Sequence, residues 1–183
     1  QLLVAVVLSA QCTDEQVNRV TPALFAIYPD AQALAGARLS DVERLVHSTG
    51  FYHAKARNII ASAQQIVHSY GGAVPEAMEA LLSLPGVGRK TANLVRSVCF
   101  GLPGIIVDTH VLRIARRLGI APTDDPAKSE RMIAASLPQE QWTRFSNVLN
   151  RHAKYVCTAR KPHCAECPLA MNCPSTQPFD QHR

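Results

Sequence analysis

The sequence predicts an all-α fold, and three observations support this prediction. Helix start and stop signals recur along nearly the whole chain of 183 residues. Between these signals, apolar residues recur at intervals of three and four, which places them on one face of a helix. Only the stretch Ile-Ile-Val at 105–107 resembles a strand, and three residues make no sheet.

The first predicted element is a buried helix in the apolar run from Leu2 to Leu8. These seven residues fall far short of the roughly 20 that cross a bilayer. The run also lacks the basic flank and the small-residue cleavage site of a signal peptide. Because the chain begins inside this run, without a Met or a helix cap, we expect a further segment to precede Gln1.

Two capping boxes predict the next helices. Thr13 with Gln16 opens a helix whose apolar face contains Val17, Val20 and Leu24. Pro22 lies inside this pattern, so it either kinks the helix or begins a second short one. Ser40 with Glu43 predicts another helix start.

A stop at Gly50 precedes a longer predicted helix, which ends at Gly71-Gly72. Its apolar face contains Ile59, Ala63, Ile66, Val67 and Tyr70. Pro75 suits the first turn of the next helix, because proline is favoured at that position. Apolar residues of that helix are Met78, Leu81 and Leu82.

A turn with two glycines, Pro85-Gly86-Val87-Gly88, leads into a second helix with Ala92, Val95 and Cys99 on one side. Both glycines permit positive φ and a close approach of the backbone. The turn brings the unpaired N–H groups of the second helix to the surface, where they can bind one phosphate. The alternative is an ordinary helix corner. A Walker A loop is excluded, since Lys90 follows Arg89 and a helix precedes the turn.

Three more helices are predicted in the second half. Asp108 is the expected N-cap of the first, which ends at Gly119. Asp125-Pro126 combines a capping residue with proline at the first helical position of the second. The last helix has one face formed by Phe145, Val148, Leu149 and His152. A domain boundary is expected at the sequence Leu-Pro-Gly of residues 102–104.

Four of the six cysteines lie within 17 residues, with the spacing C-x6-C-x2-C-x5-C. They are Cys157, Cys164, Cys167 and Cys173. Nothing in the sequence indicates secretion, so the cluster predicts a metal site rather than disulfides. Its ligand count fits zinc or an iron–sulfur cluster, and the spacing alone does not distinguish them. Arg160 and Lys161 make the loop between Cys157 and Cys164 basic. Such a loop either contacts phosphates or is ordinary solvated surface.

Two residues are candidates for chemistry. Lys90 lies in the first turn of its helix. It is either a solvated charge or an amine nucleophile for a sugar or carbonyl carbon. Asp108 lies where a helix cap is expected, and an isolated Asp there is more often a cap than a catalyst. The formal net charge of +5 is compatible with a polyanionic partner but does not require one.

Five stretches together resemble the endonuclease III family, the iron–sulfur branch of the helix-hairpin-helix DNA glycosylases. They are LSAQCTD (8–14), TGFYHAKA (49–56), LPGVGRKTANLV (84–95), VDTHV (107–111) and the cysteine cluster (157–173). The resemblance implies a helix-hairpin-helix DNA glycosylase fold, with two helical lobes and a DNA-binding cleft between them. It implies a six-helix barrel-like domain at 1–103, with the hairpin at about 75–100, and an iron–sulfur domain at 104–183 without its N-terminal helix.

The resemblance also implies residue roles. Lys90 is the nucleophile and Asp108 its catalytic partner in removing an oxidised pyrimidine that is flipped out of duplex DNA. A Schiff base forms, and β-elimination then cuts the strand. The four cysteines bind a [4Fe–4S] cluster. Residues with an implied DNA contact are Gln11, Phe51, Gly86, Gly88, Arg89, His110, Arg160 and Lys161.

Among these, Gln11 matches a position that fills the space left in the duplex, and Phe51 matches a wedge position where many relatives carry Leu. The expected partner is double-stranded DNA with damaged bases or abasic sites, and no membrane. We expect an intracellular, nucleoid-associated monomer.

Three alternatives compete with this interpretation. A monofunctional adenine-mismatch glycosylase shares the fold and cluster but lacks a lysine at the position of Lys90. A non-catalytic DNA-binding module needs neither Lys90 nor Asp108. An electron carrier with a cluster does not need the hairpin of residues 84–95. The combination of these features favours a bifunctional DNA glycosylase and abasic-site lyase.

Overall fold

The computed structural model describes residues 1–176, and every regular element in that range is a helix. This confirms the all-α prediction. The chain divides into two compact units, Gln1–Gly101 and Leu102–Arg183. Each unit has its own buried apolar cluster. Residues 177–183, the end of the predicted second domain, lie outside the described residues.

The first unit is built around one long helix. Its α-helices are α1 (Leu2–Leu8), α2 (Asp14–Ile27), α3 (Ala31–Ala35), α4 (Leu39–Val46), α5 (Tyr52–Tyr70), α6 (Met78–Leu82) and α7 (Arg89–Cys99). A 3-10 helix, His47–Thr49, lies between α4 and α5. Helix α5 packs against α1, α3 and α4, whereas α7 packs against α1 and α6. Helix α5 therefore supports the α4–α5 segment, and its Ser62 hydroxyl also donates to the Pro85 carbonyl in the turn before α7.

Helix α2 begins at the predicted position. It does not end at Pro22, where a second helix was one of the two expected outcomes. The hydroxyl of Thr13 accepts the N–H of Gln16 at 3.3 Å. The Gln16 side chain donates to Ser48 instead of returning to Thr13. One helix continues through Pro22, so a second helix starting there is excluded. Its buried face continues past the proline with Leu24, and this packing outweighs the hydrogen bond that proline lacks.

The predicted capping box at Ser40 is wrong. Ser40 lies inside α4, and Arg38 occupies the N-cap position without a side-chain capping bond. The Glu43 carboxylate lies 2.7 Å from Nδ1 of His53 instead of capping the helix. This contact with α5 replaces the local one. Gly50, with φ +67°, follows the 3-10 helix and ends this helical segment as predicted.

The predicted start of α6 at Pro75 is also wrong, because the helix begins at Met78. Ala77 has an extended backbone, with ψ 135°. The carbonyl of Glu76 accepts a 3.0 Å hydrogen bond from Nε of Arg96 on α7. This contact stabilises the segment before α6 in an extended form.

The second unit, within its described residues, contains three α-helices and short 3-10 helices. The α-helices are α8 (Thr109–Arg117), α9 (Pro126–Ser136) and α10 (Trp142–Tyr155). The 3-10 helices are Gln139–Gln141, Cys164–Glu166 and Ala170–Asn172. Helix α8 packs against α9 and α10. No helix among residues 1–176 is long and apolar enough to span a membrane.

Residues 105–107 form no strand in the part of the chain that the structure describes, as expected for so short a stretch. The N–H of Ile106 donates to Oγ of Ser146 on α10 at 3.0 Å, in place of a sheet partner. Asp125 caps α9 as predicted, since its carboxylate accepts the N–H groups of Ala127 and Lys128.

Candidate functional site

The turn between α6 and α7 contains two glycines with different roles. The backbone conformation requires Gly86, whereas Gly88 leaves open space at the N-terminus of α7. Gly86 has φ +79°, and a Cβ atom at this position would lie 2.9 Å from Nδ2 of Asn58. Any side chain there would be strained and would also clash. Gly88 is the N-cap of α7, with φ −98° and no atom within 4 Å of a built Cβ. Only Gly86 uses the positive φ that the sequence permits at both positions, and Gly88 leaves the helix end accessible.

Two residues of α5 that carry no distinctive sequence signal, Asn58 and Ser62, stabilise this turn. Oγ of Ser62 donates to the Pro85 carbonyl at 2.7 Å. Asn58 packs against Gly86. The side chains of Leu84 and Val87 are buried within the first unit. The turn is therefore a rigid part of the unit and presents the N-terminus of α7 in a defined position.

Lys90 is the second residue of α7 and is exposed. Arg89 precedes it, also exposed, and the first turn of α7 contains no acidic residue. The N–H groups of a first helical turn lack intrahelical partners and carry a partial positive charge. This end of α7 therefore combines two cationic side chains with a backbone that favours anions.

Gln11 and Phe51 share an unusual backbone conformation. They are the two non-glycine residues with positive φ among residues 1–176, at +51° and +48°. Both are exposed, and both line one open cavity of about 310 Å³ together with Gly86. The other residues that line it are Val7, Ala10, Ala54, Lys55 and Asn58. A left-handed non-glycine residue costs about 1–3 kcal/mol and is often found at functional sites.

Asp108 has both carboxylate oxygens in hydrogen bonds. Oδ1 accepts the N–H groups of His110 at 3.0 Å and Val111 at 2.7 Å, which makes Asp108 the N-cap of α8 as predicted. Oδ2 accepts Nδ2 of Asn150 at 2.5 Å. Donors on both oxygens fix the orientation of the carboxylate. Asn150 was not identified from the sequence, where a single Asn on an amphipathic helix is not distinctive.

Helix α8 is also hydrogen-bonded to the segment that carries the first cysteine of the cluster. Nη1 of Arg113 lies 3.3 Å from Nδ1 of His110. Nη2 of Arg113 donates to the carbonyls of Ala153 and Cys157, at 3.2 and 3.0 Å. The helix that Asp108 caps is therefore connected through Arg113 to the backbone of the cysteine segment.

The four clustered cysteines are half-buried and line one small cavity, most of whose other walls are apolar. Nη1 of Arg117 lies 3.2 Å from Sγ of Cys157 and donates to the Thr158 carbonyl at 2.9 Å. Nε2 of His152 lies 3.7 Å from Sγ of Cys167. Cysteine sulfurs beside a guanidinium and an imidazole form a donor set that suits a soft metal centre.

The ligand count of the four clustered cysteines fits a zinc ion or an iron–sulfur cluster. No three His, Cys, Asp or Glu side chains in the described range 1–176 are placed to hold one metal ion. Arg160 and Lys161 lie exposed in the loop between the first two cysteines.

These features define a helix-hairpin-helix protein with a four-cysteine segment at residues 157–173, and comparison with known proteins identifies the family. Residues 4–139 match the HhH-GPD superfamily of base excision DNA repair proteins. Residues 157–173 match the iron–sulfur binding domain of endonuclease III.

Endonuclease III of Synechocystis sp. is 54% identical over 178 residues, which are 97% of this chain and 81% of that protein. Endonuclease III of Bacillus subtilis is 44% identical over 182 residues, 99% of this chain and 83% of that protein. A solved structure of a trapped covalent endonuclease III–DNA intermediate, an estranged-adenine complex, is 42% identical with a TM-score of 0.90. That match covers 96% of this chain and 83% of the other. The chain belongs to the endonuclease III family.

Family membership confirms the predicted helix-hairpin-helix DNA glycosylase fold and the activity class. The chain is a DNA glycosylase and abasic-site lyase of base excision repair. Its cofactor is a [4Fe–4S] cluster, as predicted, and zinc is not supported. The roles of individual residues remain predictions.

Proposed function

We propose that Lys90 is the nucleophile and Asp108 the catalytic carboxylate with which this glycosylase removes oxidised pyrimidines from double-stranded DNA. The observation that carries the proposal is the position of Lys90. Its exposed amine lies in the first turn of α7, directly after a rigid glycine turn. A reactive amine is thus placed next to a backbone suited to a phosphate.

The hairpin is proposed to bind DNA through its backbone. Gly88 has no side chain that would cover the N-terminus of α7, so the first N–H groups of that helix are accessible to a phosphate. Arg89 adds a positive charge. Two solved structures of endonuclease III contain DNA, one as a covalent intermediate and one as a non-covalent complex. Phosphate contacts fix the register of the protein on DNA and carry no base information.

Gln11 and Phe51 are proposed to enter the duplex where the damaged nucleotide leaves it. Both are exposed and line the same cavity. A flipped base leaves an unpaired partner and an unstacked gap, which inserted side chains can stabilise. An aromatic ring such as that of Phe51 can stack on neighbouring bases.

The chemistry proceeds from the amine of Lys90. In its neutral form Nζ attacks C1′ of the flipped nucleotide, the glycosidic bond breaks, and the base leaves with the electron pair and takes up a proton. The sugar ring opens to a Schiff base on Lys90. Removal of a C2′ proton then expels the 3′ phosphate by β-elimination. Asp108 stabilises the positive charge that develops on the sugar and assists deprotonation of Lys90.

The four cysteines are proposed as the ligands of the [4Fe–4S] cluster. A bound cluster would cross-link residues 157–173 through bonds between its irons and the four cysteine sulfurs. Arg117 donates to Cys157 and to the Thr158 carbonyl, which orients the start of this segment. The loop that carries Arg160 and Lys161 is proposed to contact phosphates of the DNA backbone.

Borohydride trapping on duplex oligonucleotides tests the proposal. A panel with different oxidised pyrimidines and an abasic site is expected to give a covalent protein–DNA complex. Lys90→Ala should abolish trapping on every substrate, whereas Lys128→Ala, an exposed lysine of α9, should trap like the wild type. Full trapping by the Lys90 variant would assign the nucleophile to another amine.

A further inference from the structure

We infer that Lys55 is a positioning residue whose buried ammonium group fixes the segment that carries Phe51 for entry into duplex DNA. This inference rests on the proposed function of Phe51. Lys55 lies on α5 and is only 5% exposed. Lysine is almost never fully buried unless it has a partner. Here the partner is a backbone carbonyl: Nζ donates to the Thr49 oxygen at 2.7 Å.

Lys55 contacts the Phe51 segment from both sides. Its backbone N–H donates to the Phe51 carbonyl at 3.1 Å, while its side chain donates to the Thr49 carbonyl. The residues between these two carbonyls have positive φ: +67° at Gly50 and +48° at Phe51. Lys55 is therefore hydrogen-bonded on both sides of the two positive-φ residues. The hydroxyl of Thr49 also donates to the Val46 carbonyl at 2.7 Å, which stabilises the preceding turn.

These hydrogen bonds matter because the Phe51 side chain is poorly supported by packing. Phe51 is 70% exposed. Its position is therefore set mainly by the backbone, and that backbone conformation is strained for a residue with a Cβ atom. A hydrogen bond from a charged donor is one of the stronger ways to stabilise such a conformation.

A buried ammonium also has a cost, which argues against Lys55 as a simple packing residue. Burial lowers the pKa of Lys55, as expected when a charged group loses solvent. An apolar side chain of similar length would fill the same space without that cost. What the apolar side chain would lack is the donor to the Thr49 carbonyl.

The test compares a step that needs insertion into a duplex with one that does not. The variant is Lys55→Met, and the matched control is Arg57→Met, which replaces an exposed cation on the same helix. Single-turnover excision from a duplex with an oxidised pyrimidine should fall about tenfold in Lys55→Met, since small misplacements of a positioning group cost this much or more. Borohydride trapping on single-stranded abasic DNA should stay within about twofold of wild type, because the amine of Lys90 is unchanged.

A second comparison uses Phe51→Ala as background. If Lys55 acts through Phe51, adding Lys55→Met to Phe51→Ala should lower duplex excision no further. A full tenfold loss in that background would overturn the inference, as would wild-type excision by Lys55→Met alone. An equal loss on single-stranded and duplex substrates would also overturn it, because that pattern indicates general damage to the fold.

Lys55→Arg covers the case in which Lys55→Met does not fold. Arginine keeps a charged donor for the Thr49 carbonyl, so excision within about threefold of wild type supports the inference. A tenfold loss in folded Lys55→Arg overturns it. Failure of the wild type to trap single-stranded abasic DNA would instead refute the proposed function, and the inference with it.

Discussion

The side-chain amide of Asn150 on α10 donates a 2.5 Å hydrogen bond to Oδ2 of Asp108, the residue that caps α8. The other carboxylate oxygen accepts two backbone N–H groups. The cap and catalyst interpretations of Asp108 are therefore compatible. Oδ1 caps α8 by accepting two backbone N–H groups, and Oδ2 is held by the amide of Asn150. Together these bonds fix the plane of the carboxylate.

Asn150→Ala should lower glycosylase activity without abolishing it. The substitution removes the donor to Oδ2 while the two N–H bonds to Oδ1 remain. A lost hydrogen bond to a charged group costs about 1.5–3 kcal/mol, so we expect the single-turnover excision rate to fall by about tenfold or more. The control is Asn147→Ala, an exposed position on the same helix. Equal rates for Asn150→Ala and the wild type would remove Asn150 from the site.

Two substitutions of Asp108 should separate capping from catalysis. Asp108→Asn keeps a good capping side chain, so the free energy of unfolding should change by less than about 1 kcal/mol. Asp108→Ala loses the cap and should lower it by about 1–2 kcal/mol. Both should lose most of their excision activity, because both lack the charge. Urea unfolding and single-turnover excision measure the two effects, and an active Asp108→Asn would show that only the cap matters.

Gly86 and Gly88 form a matched pair for a test of the hairpin. Gly86→Ala puts a Cβ 2.9 Å from Asn58 at a residue with φ +79°, and should lower the free energy of unfolding by about 1–3 kcal/mol. Gly88→Ala meets no atom within 4 Å and should cost less than about 1 kcal/mol.

Gly88→Ala should affect DNA binding more than it affects stability. Gly88→Ala adds a methyl group at the accessible N-terminus of α7, so we expect weaker binding of duplex DNA by a protein of nearly normal stability. Fluorescence anisotropy with an abasic-site analogue measures this. Unchanged affinity in Gly88→Ala would contradict phosphate binding at this helix end.

The lowered pKa of Lys55 predicts a pH dependence of stability. Burial lowers this pKa below its ordinary value of 10.5, and the nearby Cys12 partly opposes the shift. From the folded-state pKa up to 10.5, the unfolded chain binds more protons than the folded one, so the contribution of Lys55 to the free energy of unfolding rises with pH. Below the folded-state pKa the burial penalty is fully present.

Lys55→Met removes this titrating group. In urea unfolding across this pH range, the wild-type free energy of unfolding should therefore gain on that of Lys55→Met as the pH rises. Arg57→Met is the control, because it removes an exposed cation from the same helix. A difference that is independent of pH would contradict burial of a charged Lys55.

Substitution of one cluster cysteine should release iron, and substitution of an isolated one should not. In Cys164→Ser we expect the visible absorbance of the cluster and the iron content to fall to less than about half of the wild-type values, since a thiolate ligand is lost. Cys99→Ser changes an exposed thiol on α7, outside the cluster, and should retain both. Normal iron content in Cys164→Ser would remove that residue from the ligand set.

Helix boundaries were predictable where local chemistry decides them. Thr13, Asp108 and Asp125 cap their helices as expected, and Gly71 ends α5 in the left-handed conformation. These signals act over three or four residues, so neighbouring sequence is sufficient. The predictions failed at Ser40 and Pro75, where groups elsewhere in the fold compete with the local signal.

The functional motifs were visible for a related reason. Lys90, the glycines before it and the spaced cysteines occur within short stretches, whose order along the chain indicates the family. The left-handed backbone of Gln11 and Phe51 was not visible, because neither residue type requires it. It became evident only from the packed first unit.

By itself, therefore, the sequence determined the all-α class, most caps, the family and the candidate reactive groups. Only the tertiary structure decided that Asn150 completes the hydrogen bonds of Asp108 and that Lys55 is buried against the Thr49 carbonyl. The physical reason is the same in both cases. Side-chain hydrogen bonds depend on distances and burial that arise when separate elements pack together, and the residue types alone leave these quantities undetermined.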